Sequence, residues 1–348
     1  GTNGKSTTTA LIGHILNACG FQAQVGGNIG KSVLELAPPE ARSVYVLEMS
    51  SFQIDLTPGL TPDIAVLSNL TPDHIDRHGT MENYAAIKAR LLGQTAKDGQ
   101  VVIGVDDDYS AAIFTRFASN GGPSALPVSV GKILGRGVFA VDGALYDAAG
   151  QRAAKVMEFA AAPRLPGVHN WQNAALAYAA TKSLVKDSRA IVSAIASFPG
   201  LAHRMEEVGR IGKTRFVNDS KATNADAAGR ALGCYPDIFW IAGGKQKEGG
   251  IKSLKPLFGH VRKAYLIGEA APAFAATLDG LAPYEMSGTL ERAVESAMND
   301  AAAATASAPV VLLSPACASY DQFRDFEQRG DAFRALVAKR ADAMRAAS

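Results

Sequence analysis

The first seven residues of the sequence have the types and order of a phosphate-binding loop, reading Gly1-Thr2-Asn3-Gly4-Lys5-Ser6-Thr7. Glycines let backbone N–H groups turn toward phosphate oxygens, a lysine supplies positive charge, and a serine hydroxyl can ligate Mg²⁺. A helix that begins at the serine directs its positive end at the same point. The pattern therefore predicts nucleotide binding, with a glycine-rich turn carrying an exposed lysine as the alternative.

Acidic and histidine side chains follow the next two apolar runs. Glu48 comes directly after the run at 44–47, and a carboxylate at a strand end beside a phosphate loop is where Mg²⁺ is held. The run at 64–68 leads into a loop stiffened by proline, which carries His74. His74 is a candidate metal or phosphate partner. Either residue alone would more often be simply solvated.

Lys88 lies in a segment with helical spacing, Tyr84-Ala85-Ala86-Ile87-Lys88-Ala89-Arg90. By that spacing alone, Lys88 is an ordinary solvated cation on the surface of a helix. Nothing else in the local pattern assigns it any chemistry.

Together these motifs resemble the Mur ligase superfamily. Further matches follow in the family's order up to about residue 330: His169-Asn170-Trp171-Gln172-Asn173, His203-Arg204-Met205-Glu206, Asn218-Asp219-Ser220-Lys221-Ala222-Thr223-Asn224, Ser314-Pro315-Ala316-Cys317-Ala318-Ser319-Tyr320-Asp321-Gln322-Phe323 and Phe326-Glu327-Gln328-Arg329-Gly330. The stretch at 313–330 and Gly26-Gly27-Asn28-Ile29-Gly30 resemble most the members that add D-glutamate.

The resemblance implies an ATP and magnesium site near the start of the chain. The residues it places on the ATP phosphates are Gly1, Thr2, Asn3, Gly4, Lys5, Ser6 and Thr7. It implies two Mg²⁺ ions, with Ser6, Glu48, His74 and Lys88 as the metal set. Lys88 would carry a CO₂-derived carbamate. Because CO₂ adds only to a neutral amine, and lysine ordinarily has a pKa near ~10.4, such a lysine must be desolvated or lie beside a metal.

The resemblance also assigns contacts further along the chain. Asn170 and Asn173 would lie near the adenine and ribose, while Arg204, Asp219 and Lys221 would contact the nucleotide from a second domain. The catalytic set becomes Lys5, His74, Lys88 and Arg204, with Arg204 reaching the phosphates when the domains close. The substrate contacts are Asn28 for the muramoyl-alanine and Thr223, Lys247, Ser319 and Phe326 for D-glutamate. Lys245 is a rival to Lys247, because both lie in one divergent loop.

The implied activity is ATP-dependent amide-bond formation in peptidoglycan synthesis. ATP would activate the alanyl carboxylate of UDP-N-acetylmuramoyl-L-alanine as an acyl phosphate, and D-glutamate would then attack it. Two alternatives stay open: another Mur-type ligase that adds a different amino acid, or a nucleotide-binding module without turnover.

The elements that must position these residues alternate between short apolar runs and helical patterns, which is typical of parallel α/β folds. Strands are predicted at 44–47, 64–68, 101–105, 214–217, 238–242, 264–267 and 310–313, with an antiparallel hairpin at 137–146. Helices are predicted at 6–18, 81–96, 172–184, 226–232, 290–304 and 323–343. A break at 197–201 separates residues 1–199 from residues 200–348. The resemblance implies a central P-loop ATPase-like domain with a mostly parallel sheet, then a Rossmann-like C-terminal α/β domain.

The composition limits the classes of partner and compartment. Lys and Arg number 35 against 33 Asp and Glu, without a basic run, so we expect neither nucleic acid nor membrane as a partner. The 3 cysteines have no C-x-x-C spacing, which favours a reducing, cytoplasmic setting. Because a strand normally precedes a phosphate loop, we also expect the natural protein to begin before Gly1. The resemblance implies that the part before Gly1 includes an N-terminal UDP-binding domain.

Overall fold

The computed structural model divides the chain into two compact units, Gly1–Pro199 and Gly200–Ser348. It describes residues 1–119, 121–148, 150, 152–246 and 249–347. None of the helices in these described ranges is both long and apolar enough to cross a membrane.

The first unit combines parallel strands with helices. Its strands are β1 (Gln22–Gly27), β2 (Ser43–Glu48), β3 (Ile64–Leu67), β4 (Gln100–Gly104), β5 (Ser124–Ser129), β6 (Val138–Val141), β7 (Ala144–Asp147) and β8 (Ala154–Glu158). Its α-helices are α1 (Lys5–Ala18), α2 (Ser51–Leu56), α3 (Ile75–His78), α4 (Met81–Gly93), α5 (Asp108–Ser119), α6 (Val168–Thr181) and α7 (Ser188–Ala196). Short 3₁₀ turns occupy Val33–Glu35 and Phe159–Ala161.

Two sheets organise this unit. β1 and β2 form a parallel pair in which Gly27 lies opposite Glu48. A second sheet has the order β3-β4-β5-β6-β7-β8, parallel from β3 to β6 and antiparallel from β6 to β8. The predicted hairpin is confirmed as β6–β7, and its turn residues Asp142 and Gly143 have φ of 52° and 76°. Positive φ at both positions is what a tight two-residue hairpin requires.

The core of the first unit lies between its helices and the parallel strands. Val101, Val102 and Ile103 of β4 are fully buried, as expected for a strand with both faces covered. α6 packs against α1 and against β4, β5 and β6. Its alanines are small enough to let the helix lie close to these neighbours on several sides. α1 and α6, which carry the predicted nucleotide residues, are therefore fixed against each other.

The second unit is a sheet with helices on both faces. Its strands are β9 (Glu206–Ile211), β10 (Thr214–Asn218), β11 (Ile238–Gly243), β12 (Val261–Ile267), β13 (Tyr284–Gly288) and β14 (Val310–Leu313). Its α-helices are α8 (Ala225–Leu232), α9 (Ala271–Leu278), α10 (Leu290–Ala303) and α11 (Phe326–Ala347), and a 3₁₀ segment spans Lys252–His260. The strand order is β13-β12-β11-β14-β10-β9, with only the β9–β10 pair antiparallel.

Alternation along β11 shows why this unit has two apolar layers. Ile238 and Trp240 belong to a cluster on one face of the sheet, while Phe239 and Ile241 belong to a cluster on the other. Successive side chains of a strand point to opposite faces, so an uninterrupted apolar strand needs cover on both. The predicted α/β architecture is confirmed.

Some element boundaries differ from the sequence predictions. α6 begins at Val168, four residues before the predicted start at 172, so Asn170 is helical. α11 begins at Phe326 rather than 323, because the Asp325 carboxylate accepts a hydrogen bond from the Gln328 N–H at 2.7 Å and caps the helix there. Five strands were not predicted, because polar residues, glycine or proline interrupt their apolar pattern: β1, β5, β8, β9 and β13.

Candidate functional site

The phosphate-loop residues adopt a tight turn that runs directly into α1. Gly4 precedes the helix with φ of 81°, and a Cβ at this position would lie 2.1 Å from the Asn173 Oδ1. Position 4 therefore needs glycine for both its conformation and its packing. No side chain caps α1, so its first backbone N–H groups remain available to an anion.

The loop is anchored to the residues that follow β3. The Thr2 N–H donates to the Asn69 carbonyl at 2.7 Å, and the Asn3 N–H donates to the Asn69 Oδ1 at 3.0 Å. In return the Ser68 hydroxyl donates to the Asn3 carbonyl at 2.7 Å. The Thr2 hydroxyl bonds both the carbonyl and the N–H of Thr71 at 3.0 Å. The loop is thus held in place before any ligand arrives.

Asn170 and Asn173 support the loop from α6. The Asn173 Oδ1 accepts a hydrogen bond from the Thr8 hydroxyl at 3.3 Å, and its Nδ2 donates to the Asn170 Oδ1 at 3.1 Å. The Asn170 Nδ2 donates to the Pro166 carbonyl at 2.7 Å. Both asparagines are buried, and Asn173 contacts the phosphate loop and the first turn of α1. Their contact with adenine or ribose stays a prediction.

Glu48 and Asn28 lie together at the ends of β2 and β1. The Asn28 N–H donates to the Glu48 carbonyl at 2.9 Å, and its Nδ2 donates to the Glu48 Oε1 at 3.2 Å. The other carboxylate oxygen, Oε2, is buried and has no hydrogen-bond partner among the described residues. The same holds for the Thr7 hydroxyl. A buried oxygen without a donor is costly unless something else binds it, and a hard cation such as Mg²⁺ fits an oxygen ligand of this kind.

Lys88 is buried, so the interpretation as a solvated surface cation is wrong. Its side chain is only 3% exposed, because the face of α4 that carries it packs inward. The ammonium nitrogen donates to the Gly1 carbonyl at 3.3 Å and lies 5.4 Å from the centre of the Tyr84 ring. Burial, with the positive charge of Lys5, lowers the pKa of Lys88 to about 7, against the opposing pull of Asp73 and Glu48. Near neutral pH the amine is therefore partly uncharged.

The structure brings together only part of the predicted metal set. Lys5, Glu48 and Lys88 line one cavity of about 680 Å³ between β2 and β3, whereas Ser6 and His74 are not among its lining residues. His74 adopts φ of 53° on an exposed loop, where it contacts Asp73 and the Phe52 ring. Within the described ranges, no group of three or more His, Cys, Asp and Glu residues could hold a metal by itself.

In the second unit, Arg204, Asp219 and Lys221 lie on two loops that are bonded to each other. The buried Asp219 carboxylate accepts from the Ser314 hydroxyl at 2.8 Å and from the Met205 N–H at 3.2 Å. Burial raises the pKa of Asp219 to about 7, although the Ser314 hydrogen bond and the charge of Arg204 oppose the shift. Arg204 lies between His203 and Met205, whose φ angles of 59° and 48° are unusual for side chains of this size.

The described members of the predicted amino-acid pocket follow β10, β11 and β14, which are neighbours in the sheet. Ser319 is buried, and the preceding Ala318 pairs with Lys245 through hydrogen bonds of 2.9 Å and 3.0 Å. The Lys221 ammonium lies 5.3 Å from the centre of the Phe326 ring. Thr223 lies two residues after Lys221 on the same loop. Lys247 lies outside the described residues, so of the two rival lysines the structure places only Lys245 beside this set.

Three residues that contact the candidate site residues received no role from the sequence. Asn69 anchors the phosphate loop, and its position directly after a predicted strand was the available signal. Tyr84 bonds Thr2 through its hydroxyl at 3.1 Å and lies four residues before Lys88, a spacing that puts both on one helix face. Arg329 is the third, and its side chain is 1% exposed.

Comparisons with known proteins agree on one family. Residues 1–181 match the profile of the Mur ligase middle domain. The UDP-N-acetylmuramoylalanine–D-glutamate ligase of Caulobacter vibrioides (strain NA1000 / CB15N) is 56% identical over 337 residues, covering 97% of this chain and 71% of that protein. The ligase of the same name from Phenylobacterium zucineum is 55% identical over 342 residues, covering 98% of this chain and 73% of the relative.

Solved structures agree on the fold. MurF from Acinetobacter baumannii superposes with a TM-score of 0.71 at 18% identity, covering 96% of this chain and 74% of that one. A UDP-N-acetylmuramoyl-L-alanyl-D-glutamate–2,6-diaminopimelate ligase gives a TM-score of 0.66 at 21% identity, covering 99% of this chain and 77% of its own. At such identities the likeness extends to the fold alone.

The burial of Lys88 predicts a specific pH dependence of stability. Its pKa is about 7 in the folded chain against an ordinary value of 10.5, so between these values the unfolded chain holds a proton that the folded chain has released. Stability from this group therefore rises with pH across that window. Lys88→Met lacks the group. The free energy of unfolding of Lys88→Met minus that of the native chain should therefore be larger at pH 7 than at pH 10.

Urea unfolding in CO₂-free buffer measures this difference, with Lys97→Met, which changes an exposed lysine, as the matched control. The control should differ from the native chain by the same amount at both pH values. A Lys88→Met difference that does not change between the two pH values would contradict the burial of the amine.

Proposed function

This chain belongs to the Mur ligase family, and we propose that it joins D-glutamate to UDP-N-acetylmuramoyl-L-alanine with conversion of ATP to ADP and phosphate. Relatives that carry the name of this ligase are 55–56% identical along 97–98% of the chain. The activity is an ATP-dependent amide ligation of peptidoglycan synthesis.

The proposal rests on one observation: Lys5, Glu48 and Lys88 line the same cavity beside the phosphate loop. Lys5 supplies a cation for phosphate, Glu48 supplies an oxygen ligand for a metal ion, and Lys88 supplies an amine that is partly neutral and can add CO₂. Such a reaction depends mainly on positioning and on neutralising charge.

The reaction has two steps. The alanyl carboxylate attacks the γ-phosphorus of ATP, which gives an acyl phosphate and releases ADP. The neutral amine of D-glutamate then attacks the acyl carbon, and the tetrahedral intermediate expels phosphate and loses a proton to form the amide. Lys5 and Arg204 would stabilise the negative charge that develops on the transferred phosphoryl group. The catalytic work of the chain is therefore alignment and charge neutralisation.

Ser6 and Glu48 would hold one Mg²⁺ ion, and His74 with a carbamate on Lys88 would serve the second. Bound there, the ions neutralise phosphate charge. Supporting this assignment, the Glu48 Oε2 has no partner among the described residues, and the burial of Lys88 keeps part of its amine neutral and reactive toward CO₂. The exposed loop of His74 would have to approach this cavity.

The remaining contacts follow the family pattern. Asn28 would contact the muramoyl-alanine, which is consistent with its hydrogen bond to Glu48. Nucleotide contacts would come from the residues of the phosphate loop and from Asn170, Asn173, Arg204, Asp219 and Lys221. The D-glutamate carboxylates would be bound by Thr223, Ser319, Phe326 and one lysine, either Lys245 or Lys247, in a charge-assisted pair.

The first prediction from this proposed function concerns substrate requirement. Phosphate release and amide product should appear only when ATP, UDP-N-acetylmuramoyl-L-alanine and D-glutamate are all present. D-Glutamate is selected because its second carboxylate pairs with a lysine. D-Alanine or a diamino acid in its place should give no product, as followed by coupled phosphate release and mass spectrometry. Comparable turnover with the diamino acid would assign the chain to a sister ligase, and nucleotide binding without product would make it a binding module.

The second prediction concerns Lys5. Lys5→Ala should weaken Mg·ATP binding by at least about tenfold, because it removes charge-assisted contacts to phosphate. Isothermal titration calorimetry measures the affinity, and Lys31→Ala, a change at an exposed lysine, is the matched control. Equal affinity in the native chain and in Lys5→Ala would refute the phosphate-loop assignment.

The third prediction concerns the carbamate. Lys88→Ala should lower the rate of acyl-phosphate formation by about 100-fold, because it removes an anion from the metal site. Formate or acetate should restore part of the rate by occupying the emptied space, and Lys88→Arg should stay inactive because a guanidinium does not form a carbamate in this way. Lys97→Ala should match the native rate. Native activity in Lys88→Ala without added carboxylate would eliminate the proposed role.

A further inference from the structure

Arg329 is a buried cation whose guanidinium group donates hydrogen bonds to other residues of the second unit. Its guanidinium Nε donates to the Ser220 hydroxyl at 2.9 Å, and its Nη2 donates to the Ser220 carbonyl at 2.8 Å and to the Cys317 carbonyl at 3.1 Å. Burial lowers the pKa of Arg329 to about 10, which still leaves it charged at neutral pH. A buried charge of this kind must gain much from its contacts to be tolerated.

These contacts join loops that carry the predicted amino-acid pocket. Ser220 lies on the loop after β10, three residues before Thr223, and Cys317 lies on the loop after β14, two residues before Ser319. The Ser220 hydroxyl also donates to the carbonyl of Phe326 at 2.8 Å, at the start of the helix that carries Arg329. One guanidinium therefore sets the mutual position of three segments.

A further loop packs against the same side chain. Gly244, directly before Lys245, adopts φ of 126°, and a Cβ there would lie 3.2 Å from the Arg329 Nη1 and 2.3 Å from the Ala318 carbonyl. This Nη1 is buried and has no hydrogen-bond partner among the described residues. Gly244 thus passes over the guanidinium with no side chain between them, which limits how far Lys245 can lie from Ser319.

We propose that Arg329 is the positioning residue of the amino-acid site, holding the loops after β10, β11 and β14 in the geometry that binds a dicarboxylic amino acid. This inference rests on the proposed function, since it assumes that Thr223, Ser319, Phe326 and a lysine of the β11 loop bind D-glutamate. Arg329 acts on the substrate through these residues and does not touch it.

The planar fork of arginine is essential to this role. A lysine retains the charge but presents a single nitrogen, which does not reproduce the three bonds in their fixed directions. Arg329→Lys should therefore leave the chain folded with looser loops. The affinity for D-glutamate should fall by about tenfold, the factor expected from losing one charge-assisted hydrogen bond in a buried site. Affinity for the nucleotide should change less than twofold.

The test measures D-glutamate binding and Mg·ATP binding by calorimetry, together with hydrogen–deuterium exchange of the three loops. The variants are Arg329→Lys, Arg329→Ala with and without ethylguanidinium, and the matched control Arg340→Lys at an exposed arginine of the same helix. Thermal unfolding shows which variants fold. We expect faster exchange and weaker D-glutamate binding in Arg329→Lys, no change in Arg340→Lys, and recovery of D-glutamate affinity in Arg329→Ala when ethylguanidinium fills the emptied space.

The outcomes separate this inference from the function on which it rests. Failure of the native chain to bind D-glutamate would overturn the proposed function before any variant is considered. Native D-glutamate binding that persists unchanged in Arg329→Lys would overturn the positioning role alone. Equal losses of nucleotide and D-glutamate affinity, with no recovery by ethylguanidinium, would show that Arg329 only supports the fold.

Discussion

The anchoring of the phosphate loop to the end of β3 is the contact on which the first unit depends. A glycine-rich loop has little conformational preference of its own, so the bonds from Ser68, Asn69 and Thr71 to its backbone and to Thr2 hold it in one shape. The end of β3 is itself fixed because β3 lies parallel to the fully buried β4. The sheet therefore holds the loop in place, and the loop in turn fixes the uncapped N-terminus of α1, where we propose that phosphate binds.

Burial of Lys88 follows from the same packing. Because α4 turns its Lys88 face inward, the ammonium group loses water and its proton affinity falls, while Glu48 is left with an oxygen that no described residue satisfies. Both features cost stability when the site is empty. A desolvated amine and an unpaired carboxylate oxygen are features that a site for phosphates and cations would need, because both groups gain when a ligand binds them.

In the second unit, a buried arginine holds the loops that follow the parallel strands. Its parallel strands end along one edge of the sheet, where backbone hydrogen bonds between Lys245 and Ala318 join the loops after β11 and β14. Arg329 bonds the loops after β10 and β14 and lies against Gly244 on the loop after β11, so one side chain adds hydrogen bonds beyond the ends of the strands. The strained backbone at His203 and Met205 is held in the same region, beside Arg204.

The sequence by itself determined the α/β architecture, the β6–β7 hairpin and the phosphate loop, because apolar alternation, a turn dipeptide and a glycine-lysine-serine order are local patterns. It also placed the candidate residues at strand ends. Only the tertiary structure decided that Lys88 is buried, that His74 is exposed, and that Asn69, Tyr84 and Arg329 bond the segments that carry the candidate residues. Exposure and hydrogen-bond partners depend on residues distant in the chain, such as Gly1 for Lys88 and Ser220 for Arg329, and no local spacing contains that information.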